Sequence, residues 1–341
     1  MDSLRAIGYA PRWEALFAAY EPSAEPGRVV RHDGVSLQVR TSTGVRRVPL
    51  RRGLPPLAVG DWIAVDDERV VALLDRFSLL RRRAAGSDDE QQLLAANVDL
   101  VLLVAGLDRP VTAGRIRRGE ALAFDAGAQP VLVLTKADLA DDLDDLRARL
   151  AFDHPWLEVL VTSSVTEDGL DELRSRMVGA TSVLVGESGA GKSALVNALT
   201  ETDAAGVGAV RHGDHKGRHT TTSRQLHELP GGGVVIDSPG IREIGLAGDD
   251  ASVEATFGDI GALAAGCRFG DCRHAGEPGC AVVLAVESGE LAAERLAGFH
   301  ELRAETAAAA RRADEHERRA HERQFTKQVR AFVRSDRHNK R

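Results

Sequence analysis

Gly186-Glu187-Ser188-Gly189-Ala190-Gly191-Lys192-Ser193 is a string built to hold a chain of phosphates. Phosphates bring several negative charges, and a glycine-rich turn lets consecutive backbone N–H groups converge on them with no protein anion in between. Lys192 then reaches the outer phosphates, and the Ser193 hydroxyl is the natural Mg²⁺ ligand. Ser182-Val183-Leu184-Val185 reads as a short buried strand before the loop. Ser193 to Leu199, including Ala194 in the first turn, reads as a helix whose N-terminus faces the phosphates. Downstream, Val234-Val235-Ile236-Asp237 is an apolar strand ending in an acid. It places Asp237 to hold the Mg²⁺ shell, and Gly240 of Ser238-Pro239-Gly240 to offer its N–H to a γ-phosphate.

Upstream of that loop lies a second recognition segment, Thr135-Lys136-Ala137-Asp138, delivered by the apolar strand Val131-Leu132-Val133-Leu134 to the carboxyl edge of a sheet. The Asp138 carboxylate can accept two hydrogen bonds, from guanine N1–H and its 2-amino group. Adenine offers no matching donor pair, and sites built on such pairing discriminate by about 10⁴–10⁵. Thr135 stands where an Asn-Lys-x-Asp pattern has asparagine, so the asparagine contact to base and phosphate loop is the point of doubt. Val161-Thr162-Ser163-Ser164 ends a further strand and supplies Ser163 and Ser164 beside the base. Because the base-reading segment precedes the phosphate loop, the expected GTP site belongs to a circularly permuted GTPase domain with Mg²⁺ bound alongside the nucleotide.

The elements that must position these residues alternate strand and helix from Asp99 onward, which implies a three-layer α/β sheet. Asp141 to Leu146 opens one of its helices, with acids near the favourable N-terminal dipole. Ahead of it, residues 28–86 contain about five short alternating strands with Asp33-Gly34 and Thr43-Gly44 as hairpin turns, the pattern of a small OB-type barrel. Arg46, Arg47, Arg51, Arg52, Arg81, Arg82 and Arg83 lie near its loops and exit, a surface suited either to a phosphate backbone or simply to solvent. The expected boundaries are an extension over 1–27, the barrel over 28–86, the GTPase over 87–248 and a metal-binding module over 249–341. With 341 residues, 43% of them hydrophobic, there is material for two or three cores. A formal net charge of −7 argues weakly against nucleic acid as an average, although averages hide patches. No secretory leader or spanning run is present, so a cytoplasmic monomer away from membranes is expected.

All three cysteines fall in the last module. Cys267-x₄-Cys272-x-His274-x₅-Cys280 offers three thiols and an imidazole, the donor set of a tetrahedral structural Zn²⁺ site with no open position for chemistry. After it, a helical pattern from about Glu290 to Val333 becomes strongly basic, ending in Lys340-Arg341. Such a tail is either a solvated end or a nucleic-acid arm. A basic barrel at the opposite end of the chain favours the arm.

The order of barrel, permuted GTPase and cysteine module resembles the ribosome small subunit-dependent GTPase A family, RsgA. The resemblance runs from about Arg28 to the C-terminus. It rests on Thr135 to Asp138, Gly186 to Ser193, Gly217-Arg218-His219-Thr220-Thr221-Thr222, Asp237 to Gly240, and Cys267 to His274 with Glu277-Pro278-Gly279-Cys280. It implies a late assembly factor that binds the small ribosomal subunit and its rRNA, hydrolyses GTP to GDP when stimulated by it, and then leaves. Thr135 and Ser238 depart from the common pattern. Ile241 occupies the position where many GTPases carry a water-orienting glutamine, so hydrolysis needs help from elsewhere. His219 is the candidate catalytic residue, orienting the attacking water once RNA orders its loop, while Thr221 or a neighbouring threonine closes on Mg²⁺. The alternative for His219 is contact with RNA or simple packing. Two rival functions are a free-standing NTPase whose outer modules serve oligomerisation, and a factor for the large subunit.

Overall fold

Leu4, Ile7, Trp13 and Phe17 are buried, because the two short helices at the start of the chain lay their apolar sides on the body of the protein. The computed structural model describes residues 2–20, 24–51, 53–66, 69–83, 91–140, 142–201, 224–237, 250–308 and 310–311. Helices α1 (Asp2–Arg5) and α2 (Pro11–Phe17) precede strands β1 (Glu25–His32), β2 (Ser36–Thr41), β3 (Gly44–Pro49), β4 (Trp62–Val65) and β5 (Val70–Leu73). Trp62 is the anchor: Tyr9 and Trp13 pack on it with ring centroids 5.1 and 5.7 Å away. The five strands pair antiparallel in the order β3-β2-β1-β4-β5 around Val29, Leu37, Val39, Val48, Ile63, Val65 and Val70. The pairing of β3 with β5 that would close an OB barrel is absent among the described residues.

A hairpin of β6 (Leu79–Arg83) and β7 (Gln91–Ala96) leads into the α/β part. That part runs β8 (Leu100–Gly106), α3 (Ala113–Asp125), β9 (Gln129–Thr135), α4 (Leu143–Asp153), β10 (Glu158–Val161), α5 (Leu170–Met177), β11 (Thr181–Val185) and α6 (Lys192–Thr200). It finishes with β12 (Gln225–Glu228) and β13 (Val234–Asp237). The strand order is β10-β9-β8-β11-β13-β12, parallel except for β12. Strand side chains alternate between faces. Val101, Leu103, Leu132, Leu134, Val183 and Val185 therefore share one core with Ile116 and Leu122 of α3 and Leu150 of α4. Leu100, Leu102, Val104, Val131, Val133 and Leu184 share the other with Leu173 and Met177 of α5 and Leu195 and Leu199 of α6. Three layers result, and β11, which precedes the phosphate loop, lies in the middle although β9 and β10 come before it in the chain.

The N-terminal strands and this sheet are continuous. β12 pairs with β1 at Arg31↔Gln225. Arg28, buried, fastens the joint: its guanidinium donates to Ile7 O, to Gly60 O at 3.3 Å and to Thr181 Oγ1, at the start of β11, at 2.7 Å. Burial lowers its pKa to about 10 against the pull of Asp99 and Asp61, so it stays protonated at neutral pH.

The C-terminal part consists of α7 (Asp250–Thr256), α8 (Gly258–Ala264), α9 (Ala281–Ser288) and a helix over 293–308. Phe257 and Phe299 meet edge to face at 5.4 Å in its core, with Val253, Ile260 and Val282 around them. Ala121 of α3 belongs to the same cluster, which docks these helices on the α/β part. Arg295 strengthens the dock, bonding Asp259, Thr256 O at 2.7 Å and Asp153 O at 3.1 Å. Among the described residues no helix is long and apolar enough to cross a membrane.

Candidate nucleotide site and metal centre

Strand β11 ends at Val185, and the chain then turns through Gly186 to Gly191 into α6. Glycine is required at the two ends of that turn for different reasons. A Cβ on Gly186 would stand 2.3 Å from Val104 O, and Gly191 has φ +90°, a left-handed conformation that side chains resist. Lys192 folds its ammonium into the turn, donating to Gly186 O at 2.7 Å and Glu187 O at 2.6 Å. Ser193 and Ala194 occupy the first turn of α6, where helix N–H groups lack intrahelical acceptors and the dipole favours an anion. Asp237 ends β13, the parallel neighbour of β11.

On the other side of β11, beyond β8, strand β9 ends at Thr135. The Thr135 hydroxyl is buried and donates to Ala190 O of the phosphate loop at 2.6 Å. Threonine therefore supplies a link to the phosphate loop in the place of the asparagine. Lys136 takes a left-handed φ of 60°, which swings its side chain over the loop, and its Nζ donates to Gly189 O at 2.7 Å. Asp138 is exposed. The Ser163 hydroxyl donates to its Oδ1 at 2.5 Å and fixes the plane of the carboxylate. Ser163 itself is buried and held by Val165 N and Thr166 N, while Ser164 comes next, half-buried. Thr135→Val keeps the shape but leaves Ala190 O without this donor. We expect about a tenfold loss of GDP affinity, since an unmade buried bond costs roughly 1–3 kcal/mol. Calorimetric titration with GDP checks it.

Cys267, Cys272, His274 and Cys280 come together, with their ligand atoms within 4.8 Å of one another. Bond lengths of about 2.3 Å to sulfur and 2.0–2.1 Å to nitrogen give tetrahedral edges of roughly 3.7 Å between sulfurs and roughly 3.5 Å from sulfur to nitrogen. The observed Cys267 Sγ–Cys280 Sγ separation is 3.9 Å, and His274 Nδ1 lies 3.6 and 3.5 Å from those two sulfurs. These edges fit a tetrahedral metal, and the sulfur separation excludes a disulfide of about 2.05 Å. Around the cluster, the Glu277 carboxylate accepts from Arg273 N and Ala275 N, and His300 Nε2 lies 3.2 Å from His274 O.

A family model described as RsgA GTPase matches residues 73–247. The small ribosomal subunit biogenesis GTPase RsgA 2 of Vibrio parahaemolyticus is 42% identical over 305 residues, covering 89% of this chain and 85% of that protein. The small ribosomal subunit biogenesis GTPase RsgA of Streptomyces avermitilis is 44% identical over 308 residues, covering 86% and 83%. This chain belongs to the RsgA GTPase family. Its fold is likewise similar to YjeQ from Thermotoga maritima, with TM-score 0.65 and 28% identity over 83% of this chain and 98% of that one. For YloQ, a circularly permuted GTPase, the TM-score is 0.64 at 25% identity, covering 85% and 97%. A permuted order is seen here as well, with β9 and β10 entering the sheet before β11.

Of the residues picked out from sequence, Thr135, Lys136, Asp138, Ser163, Ser164, Gly186 to Ala194 and Asp237 gather at the carboxyl edge of the sheet. His219, Thr221 and Gly240 lie outside the described residues, as do Ser238 and Ile241. Sequence reasoning missed Asp108, Arg109 and Arg115. Arg115 Nη2 lies 2.7 Å from Glu187 Oε1, and Asp108 Oδ2 lies 2.8 Å from Lys136 Nζ. Hydrogen bonds from Arg109 and then Lys136 lower the Asp108 pKa to about 2. For Asp108 and Arg109 the only sequence signal was position, immediately after β8 at the same sheet edge, and for Arg115 it was a place in the first turn of α3.

Proposed function

We propose that this chain hydrolyses GTP to GDP and phosphate in the late maturation of the small ribosomal subunit, whose binding stimulates turnover. The observation that carries this is the direct bonding of the base-reading segment to the phosphate loop, Thr135 to Ala190 and Lys136 to Gly189, in a member of the RsgA family. A loop and a base reader locked together bind a whole guanine nucleotide, not a phosphate alone. Asp138, with Ser163 and Ser164 beside it, reads the guanine. Lys136 lies along the nucleoside. The backbone N–H groups of Gly186 to Ala194 and the Lys192 ammonium hold the phosphates, and Gly240 N–H meets the terminal one.

Ser193, Asp237 and Thr221 would hold Mg²⁺, which when bound neutralises charge on the β- and γ-phosphates. Cys267, Cys272, His274 and Cys280 would hold one structural Zn²⁺. His219 orients the attacking water in the subunit-bound state. His219→Ala should remove most of the subunit-stimulated turnover while leaving GDP affinity intact, and unchanged stimulation would end that assignment.

Residues 28–86 serve as an OB-type module and, with the basic C-terminal end of 249–341, grip rRNA phosphates. The GTPase module is 87–248, and the extension 1–27 precedes the OB-type module. Such a protein works as a monomer in the cytoplasm, where subunits are assembled. Contacts to phosphates make binding salt-dependent, and 6–10 of them lose about 10³–10⁵ in affinity between roughly 50 and 200 mM salt. Cosedimentation with small subunits in the presence of a non-hydrolysable GTP analogue should therefore vanish over that range. Binding indifferent to salt would remove the rRNA backbone as the partner surface.

A further inference from the structure

Four consecutive residues of the phosphate loop are each held from outside the loop. Glu187 is held by Arg115, Ser188 O by Arg109 Nη1 at 3.4 Å, Gly189 O by Lys136 and Ala190 O by Thr135. Two of these four cations and donors, Arg109 and Lys136, share one carboxylate. Asp108 receives Arg109 Nη2 at 3.0 Å and Lys136 Nζ at 2.8 Å. It comes from the turn after β8, the strand that separates the phosphate-loop strand β11 from the base-reading strand β9.

A Cβ on Gly106 would meet Asp108 Oδ1 at 2.6 Å, so a side chain there would push the carboxylate from this position, while Ala190 Cα at 3.4 Å and Lys136 Cε at 3.5 Å lie at ordinary contact distance. Without a fixed anion, Lys136 is a flexible stem with strongly hydrated donors that must give up rotamer freedom to lie along the nucleoside. Without the same anion, Arg109 is drawn toward Glu187, whose Oε2 lies 3.9 Å from its Nη1. A single ion pair at this exposure contributes little. A carboxylate that aligns two donors on adjacent loop carbonyls acts instead by pre-organising the loop before the ligand arrives.

We infer that Asp108 is a positioning residue of the guanine-nucleotide site, holding Lys136 against the base-reading edge and Arg109 against Ser188 so that the phosphate loop and base reader are set as one unit. The inference rests on the nucleotide reading proposed above. GDP is the probe, titrated calorimetrically into the full chain and into Asp108→Asn, Lys136→Ala and the double variant. Asp108→Asn should weaken GDP about tenfold, equivalent to about 1.4 kcal/mol. Lys136→Ala should weaken it at least as much, and the double variant no more than about twofold beyond the worse single, because Asp108 acts largely through Lys136. A role confined to folding would instead give multiplying losses. Asp108→Ser provides a second variant, and unchanged thermal midpoints of the nucleotide-free proteins exclude a folding defect. If Asp108→Asn and Asp108→Ser bind GDP as the parent chain does, or if their losses multiply with that of Lys136→Ala, the positioning role is wrong and the nucleotide reading stands. If the parent chain itself fails to bind GDP, both fall.

Discussion

Asp138→Asn should change the nucleotide this protein prefers: GDP affinity falls by about 10³-fold and xanthosine diphosphate becomes the better ligand. The carboxylate of Asp138 accepts from guanine N1–H and from the 2-amino group. An asparagine offers one acceptor and one donor, so its amide faces the guanine amine donor to donor, and a site whose polar groups go unpaired rejects its ligand by about 10⁴–10⁵. Xanthine carries a carbonyl at that position and accepts from the amide. The hydrogen bond from Ser163 holds the side chain in plane in the parent chain, so the swap is chemical with little change of shape. Competition titrations with guanosine, xanthosine and adenosine diphosphates read it directly. A variant that still prefers GDP would show that Asp138 does not read the base.

The second large effect concerns the zinc proposed for the cysteine cluster. Cys280→Ser should abolish stoichiometric zinc and unfold the segment between α8 and α9. Structural zinc sites in small peptides contribute about 10–16 kcal/mol, comparable to the whole stability of a typical domain. The segment over 265–280 has little else to fold it: Cys280 itself is buried, but Arg268, Phe269, Gly270, Asp271, Arg273 and Ala275 are solvent-exposed. Cys280 also caps α9, accepting from Val283 N at 3.5 Å, so the loss extends into that helix. Elemental analysis should fall from one zinc per chain to none, and hydrogen exchange over the segment should rise to unprotected rates. One equivalent of zinc retained by the variant would place the metal elsewhere.

Much of the site was legible because its residues sit at strand ends with fixed spacing. Val183 to Val185 and Val131 to Leu134 are apolar runs buried on both faces, and runs of that kind deliver the residues after them to one edge of a parallel sheet. The cysteine module was legible for a similar reason, since four ligands in one short window need no long-range geometry. The joins were not legible. Arg28 reads in sequence as the start of a basic surface, yet it is buried against three acceptors from distant segments. Arg46 likewise reads in sequence as part of a basic surface, but it pairs with Glu25. β12 is a four-residue polar strand, Gln225-Leu226-His227-Glu228, with no pattern that announces its pairing with β1. Asp108 and Arg109 look like an ordinary turn until the fold brings them beside Lys136 and Ser188.

Turnover measured with GTP and with ATP, each with and without purified small ribosomal subunits, tests the central claim most directly. GTP hydrolysis should be slow alone, rise by at least about tenfold with subunits, as expected when a partner completes the catalytic set, and exceed ATP hydrolysis throughout. Equal hydrolysis of ATP, or a GTP rate unmoved by subunits, would contradict it.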